Sequence, residues 1–136
     1  MSKFERCPCG SKALYHKCCK KYHDGELPEN ALLLMRSRYS AYSKDLAEYI
    51  MDTTHKDHEE HAGDAKEWLI SIHLFSRHTI FNTLTISEFV DGETTATVTF
   101  SADLRQAGED VVFSEKSDFV KEDGRWLYRS GTILES

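Results

Sequence analysis

At 136 residues, with 40% hydrophobic and 29% charged side chains, the chain has room for one ordinary core plus an appendage too short to bury a core of its own. Its 17 Lys and Arg stand against 23 Asp and Glu, and the net charge of −6 argues against a nucleic-acid binder, whose affinity would come from neutralising phosphates. No apolar run approaches the ~20 residues that span a bilayer, and no basic, then apolar leader follows Met1, so the expectation is a cytoplasmic protein.

All four cysteines fall in the first nineteen residues, as Cys7-Pro8-Cys9-Gly10-Ser11 and then the adjacent pair Cys18-Cys19. Two thiols on a tight turn, closed by two more a short distance later, can surround one ion tetrahedrally, and zinc favours thiolates in that geometry. The alternatives are a redox dithiol and a disulfide. The spacing is CxC and CC, not CxxC, no βαβ pattern surrounds it, and nothing marks the chain for an oxidising compartment. The CPCGS turn followed by Tyr15-His16-Lys17-Cys18-Cys19 resembles the SEC-C motif, a small zinc knuckle also found in the SecA translocation motor. The resemblance implies that Cys7, Cys9, Cys18 and Cys19 are the ligands, with Cys19 in the position that takes His or Cys. It also implies a protein partner connected with translocation, chaperones or the ribosome. Lys3, Arg6, Lys12, Lys17, Lys20 and Lys21 make this segment positive, while the rest of the chain is acidic.

Tyr22 to Glu29 contains Asp24-Gly25 and Pro28 and suits a linker that ends at a helix start. Leu32, Met35, Tyr39, Tyr42, Leu46 and Tyr49 then recur at steps of three and four, which predicts one helix, or two broken near Ser43-Lys44-Asp45. The bland fate of these aromatics is core packing. Arg36 and Arg38 flank the stripe, so one of them borders a cavity if the fold encloses one. His55, His58 and His61 sit in a polar stretch without apolar periodicity, which predicts a solvated loop and not a metal-binding helix face. Asp64 and Glu67 resemble a capping box before a further amphipathic helix carrying Trp68, Leu69, Ile72 and Phe75.

From Thr79 the period becomes two. Ile80, Leu84 and Ile86, then Ala96 to Leu104, then Val111 to Val120 alternate with polar residues, and Asp91-Gly92, Ala107-Gly108 and Asp123-Gly124 interrupt them as hairpin turns. Four strands on short turns make an antiparallel meander, so the fold class is α+β, with the helices on one side of the sheet.

Leu34 to Tyr42, the Thr54-His55 step and the closing Asp123-Gly124-Arg125-Trp126-Leu127-Tyr128 resemble the YchJ-like family. That family joins a SEC-C knuckle to a cone domain related to nuclear transport factor two. The implied division is 1–27, knuckle and linker, and 28–136, the cone.

A cone leaves an opening between sheet and helices, and the residues expected there are Arg38, Tyr39, His55 and Glu115, with Arg129 as an outer candidate. Glu115 lies in phase with Phe113 and Phe119, which places a carboxylate on an apolar strand face. Such a group finds a cation or rises in pKa. The simplest expectation is an Arg38–Glu115 pair closing the mouth. No nucleophile and base are adjacent in sequence, and no glycine-rich phosphate loop is present. Two function classes remain: a protein-interaction module whose cone binds a partner or small ligand, and an enzyme using His55 and Glu115 as acid and base. Nothing in the sequence sets the oligomeric state.

Overall fold

The computed structural model describes residues 5–134, so Lys3 lies outside the described residues. The chain opens on a narrow hairpin in which Cys7 N donates to Ala13 O (2.9 Å) and Tyr15 N to Glu5 O (2.8 Å). Gly10 and Lys12, both at positive φ, turn it. A 3-10 turn, Tyr15–Lys17, and a one-turn helix α1, Lys20–His23, complete the knuckle. Tyr22 and His23, which the sequence assigns to the linker, are thus helical, and Tyr22 is buried.

Helix α2, Ala31–Ser43, starts where the Asn30 side chain accepts from Leu33 N. It ends in a Schellman arrangement: Leu46 N donates to Ala41 O and Asp45 N to Tyr42 O, with Asp45 left-handed at φ 61. Asp45 stands where glycine is usual, and its carboxylate receives His73 Nδ1 (2.5 Å) and Arg77 Nε (2.9 Å) from the next long helix. The predicted break in the stripe is therefore real, and α3, Ala47–Asp52, follows it. Helix α4, Ala65–Arg77, is capped by Asp64, whose carboxylate accepts from Lys66 N and Glu67 N.

One face of α2 was expected to be buried, yet Leu34, Ser37, Ser40 and Ala41 are as hidden as Met35 and Tyr39. The helix lies between two layers. Its outer side carries small residues, and there the knuckle packs: Ser40 Oγ lies 3.3 Å from Cys7 Sγ, Arg36 donates to Cys9 O (2.7 Å), and His23 Nε2 donates to Ser37 O (2.8 Å).

Strands β1 (Thr79–Val90), β2 (Thr95–Gln106), β3 (Glu109–Glu122) and β4 (Arg125–Ile133) form one antiparallel meander in the order β1-β2-β3-β4. Ala107-Gly108 and Asp123-Gly124 have positive φ at both positions, as a two-residue type I′ hairpin requires. Gly92 differs: its φ is not positive, and a side chain there would collide with the carbonyl of Thr95.

Strand β2 buries Ala96, Val98, Phe100, Ala102 and Leu104 in strict alternation. The strand beside it does not alternate strictly. A register shift between Phe81 and Thr83 turns Phe81 and Leu84 inward and leaves Ile80 59% exposed, contrary to its place in the simple alternation. Another shift, opposite Asp118/Phe119, falls at Arg129 on β4 and puts both Tyr128 and Gly131 on the inner face. Helices α2 and α4 cover that face. Among the described residues, no helix is long and apolar enough to cross a membrane.

Candidate functional site

The knuckle brings all four cysteine sulfurs within 4.8 Å of one another, and none forms a disulfide. Cys9 Sγ and Cys18 Sγ are 3.6 Å apart, Cys18 Sγ and Cys19 Sγ 3.9 Å. A tetrahedral ion with metal–sulfur bonds of about 2.3 Å has sulfur–sulfur edges of about 3.8 Å, so the four thiols fit a closed metal site with no open position. The sulfurs perturb one another: hydrogen bonds from Cys19 and Cys7 push Cys9 below the ordinary thiol range, and hydrogen bonds with Cys7 and Cys9, with burial, push Cys19 above it. A divalent cation is what allows all four to be thiolates together. Ser11 Oγ, 3.1 Å from Cys18 Sγ, and Ser40 Oγ beside Cys7 supply hydroxyls to the sulfurs.

The second feature is a cavity of about 490 Å³ between the helices and the sheet. Its walls are apolar, with Phe81, Phe100, Phe113, Phe119 and Trp68 prominent. Arg38, Tyr39 and Glu115 are among the residues that line it; His55 and Arg129 are not. Arg38 enters from α2 with Nη1 donating to Ile50 O (3.0 Å), Thr53 Oγ1 (2.8 Å) and Thr54 Oγ1 (3.1 Å). Glu115 stands on β3, where Ser117 Oγ and Tyr128 Oη (3.2 Å) donate to its Oε2.

The expected direct Arg38–Glu115 pair is not formed among the described residues. Tyr128 stands between them: the Arg38 guanidinium lies over its ring, 4.6 Å from the centre, while its hydroxyl bonds Glu115. Burial, and then the Glu115 carboxylate, push the Tyr128 phenol up, with Arg38 opposing, so Tyr128 remains a neutral donor. Tyr39 is likewise raised, to about 12, by burial and then Asp103, and its hydroxyl is buried with no hydrogen-bond partner among the described residues.

His55 is only 3% exposed but turned elsewhere. Its Nδ1 accepts from Asp57 N (3.1 Å), so the proton sits on Nε2, which donates to Glu122 Oε2 at 2.5 Å. Its own amide donates to Tyr128 O (2.7 Å) and Tyr128 N to Thr53 O (2.8 Å), a clasp that fixes the loop after α3 against β4. His58 and His61 cap and brace a 3-10 turn, Glu59–Ala62, and join no metal-ligand cluster among the described residues.

Sequence reasoning missed three residues. Tyr128 was legible only as part of a closing motif, and Ser117 as a polar residue in phase with Phe119. Gly131 gave no signal, yet a Cβ there would meet the Glu115 carboxylate and come within 2.6 Å of Tyr128 Oη. The glycine makes room for the half-buried acid.

Comparison with known proteins agrees with this architecture. The sequence model of the YchJ middle NTF2-like domain matches residues 30–131. A UPF0225 protein of Bordetella pertussis is 40% identical over 136 residues, covering 93% of this chain and 92% of the relative. A UPF0225 protein of Serratia proteamaculans is 37% identical, covering 94% and 83%. The crystal structure of a SEC-C motif containing protein from Psychrobacter arcticus superposes with a TM-score of 0.81 at 26% identity, over 98% of this chain and 85% of that one. The solution structure of a SEC-C motif containing protein from Rhodopseudomonas palustris gives 0.79 at 26% identity, over 96% and 100%.

Proposed function

The chain belongs to the YchJ-like family, and on that premise we propose that it is a zinc-clasped ligand-binding protein. Cys7, Cys9, Cys18 and Cys19 hold one zinc ion, which keeps the knuckle folded against α2, and the cavity of the NTF2-like domain takes one small molecule. Zinc is favoured over other metals by an all-thiolate, four-coordinate set. The observation that carries the ligand reading is the cavity itself: about 490 Å³, aromatic walls, and a set of polar side chains on its lining that includes Arg38, Glu115 and Tyr128. Sites of this size with a few placed polar groups are the usual form of small-molecule pockets.

Acid–base catalysis through His55 and Glu115 is not favoured, because His55 is engaged by Glu122 outside the cavity lining. The knuckle's outer side supports a second, compatible role. Lys12, Lys17 and Lys21 are exposed there on a protein of net charge −6, so a protein partner with an acidic surface docks on that side.

The ligand reading is tested with N-phenyl-1-naphthylamine, a neutral fluorescent probe. One saturable site is expected, quenching the fluorescence of Trp68, which lines the cavity. Ala102→Leu, which fills the cavity from β2, should weaken binding at least tenfold while leaving the circular dichroism unchanged. Equal binding by the filled variant would overturn the reading.

A further inference from the structure

The cavity holds two opposite charges that each keep unused hydrogen-bonding capacity. Glu115 receives both of its bonds on Oε2, and Oε1 takes none from any described residue. Arg38 spends Nη1 on three acceptors, while Nη2 and Nε make no bond with a described residue. Neither the Arg38 nitrogens nor Glu115 Oε1 are among the buried polar atoms sealed off without a partner, so they are open to solvent. Both side chains line the cavity, and both lie against one tyrosine, Arg38 over its ring and Glu115 at its hydroxyl.

The sign of that head group follows from the charges around it. An anion drawn to Arg38 would sit beside Glu115, with Glu60 also on the cavity wall. A cation drawn to Glu115 would sit beside Arg38. With the two charges this near each other, either repulsion offsets part of the attraction. A neutral group that offers an acceptor to one side and a donor to the other meets no such opposition, and it satisfies both the buried Arg38 and the half-buried Glu115.

Resting on the ligand reading above, we propose that the cavity recognises a flat, neutral molecule presenting an amide-type edge, its carbonyl oxygen accepting from Arg38 and its N–H donating to Glu115. The amide or lactam plane continues into an aromatic or other flat body held among Phe81, Phe100 and Phe113. Ser117 and Gly131 belong to the same device: one holds the carboxylate by its hydroxyl, and the other leaves the space the carboxylate occupies.

Three probes of nearly equal shape separate the alternatives: 2-naphthamide, 2-naphthoate and 2-naphthylmethylamine, titrated calorimetrically into the full zinc-loaded chain at neutral pH. The amide should bind at least tenfold more tightly than either ion. In Glu115→Gln, which removes the negative charge, naphthoate should gain at least fivefold while the amide weakens. Should that variant fail to fold, the ranking in the wild-type protein decides alone. Three probes binding within twofold of one another, or an ion binding tightest, would overturn the amide assignment and leave a ligand cavity. Failure of all three probes to bind, together with failure of N-phenyl-1-naphthylamine, would overturn the ligand reading as well.

Discussion

Gly131 shows how much one missing side chain can decide. It sits opposite Ser117 on the neighbouring strand, and the Glu115 carboxylate and Tyr128 hydroxyl occupy the space a Cβ would take. Its φ is not in the left-handed region, so alanine is tolerated by the backbone and the conflict is purely one of space. Gly131→Ala should force the carboxylate away from Ser117 and Tyr128, at a cost of about 1–3 kcal/mol for the donors left without their acceptor. Urea unfolding of the single and double variants checks this. In the Glu115→Ala background the alanine at 131 should cost less, because of the groups it displaces only the Tyr128 hydroxyl is left. Additive losses would show that the glycine serves the strand and not the carboxylate.

At the scale of elements, the segment Thr53–His55 is what ties α3 to the sheet. Two backbone bonds to Tyr128 and the His55–Glu122 contact hold it. The hydrogen bond from His55 holds the Glu122 carboxyl below its ordinary value of 4.5, against a smaller upward push from burial. The unfolded chain therefore binds the proton first as pH falls. The contact's contribution to stability is complete above about 4.5 and is lost as pH drops through the lowered native value. Denaturation midpoints of wild type and Glu122→Gln should accordingly differ at pH 7 and converge as the pH is lowered below 4.5. A constant gap across that range would mean the carboxylate charge plays no part in the clasp. Any acid loss of a metal held by the knuckle would affect both proteins alike and drop out of the difference.

For the whole molecule, the knuckle and the cone are joined by more than the linker. Arg36, Ser37 and Ser40 of α2 bond knuckle atoms, His23 stacks edge-on against Tyr49, and Lys44 lies over the Tyr15 ring. Metal binding and knuckle folding are one event, so chelation should act first on residues 5–23 and then on the outer side of α2. Protein purified without added metal should carry about one zinc per chain. A strong chelator should raise hydrogen exchange in the knuckle and at Arg36 to Lys44 while β2 stays protected. Loss of the sheet's circular-dichroism signal on chelation would instead make the knuckle part of the main core. A natively folded, metal-free protein with four titratable thiols would remove the zinc site.

What the amino-acid sequence determined by itself is whatever depends on neighbours a few residues apart. The four-cysteine cluster, the break at Lys44-Asp45, the Asp64 cap, the alternation from Ala96 to Leu104 and the two type I′ turns all have local causes in ligand spacing, capping, strand period and backbone conformation. Glu115 was legible for the same reason, since its phase on β3 places it inside with Phe113. Tertiary structure decided the rest. Bulges at Asn82 and Arg129 reset which residues face inward, exposing Ile80 and admitting Gly131, and a register shift leaves no mark in the period on either side of it. The second burial layer on α2 depends on where the knuckle docks. His55 turned to Glu122 and Arg38 turned to Tyr128 because partners 67 and 90 positions away in the chain, which no local pattern announces, were brought beside them by the sheet.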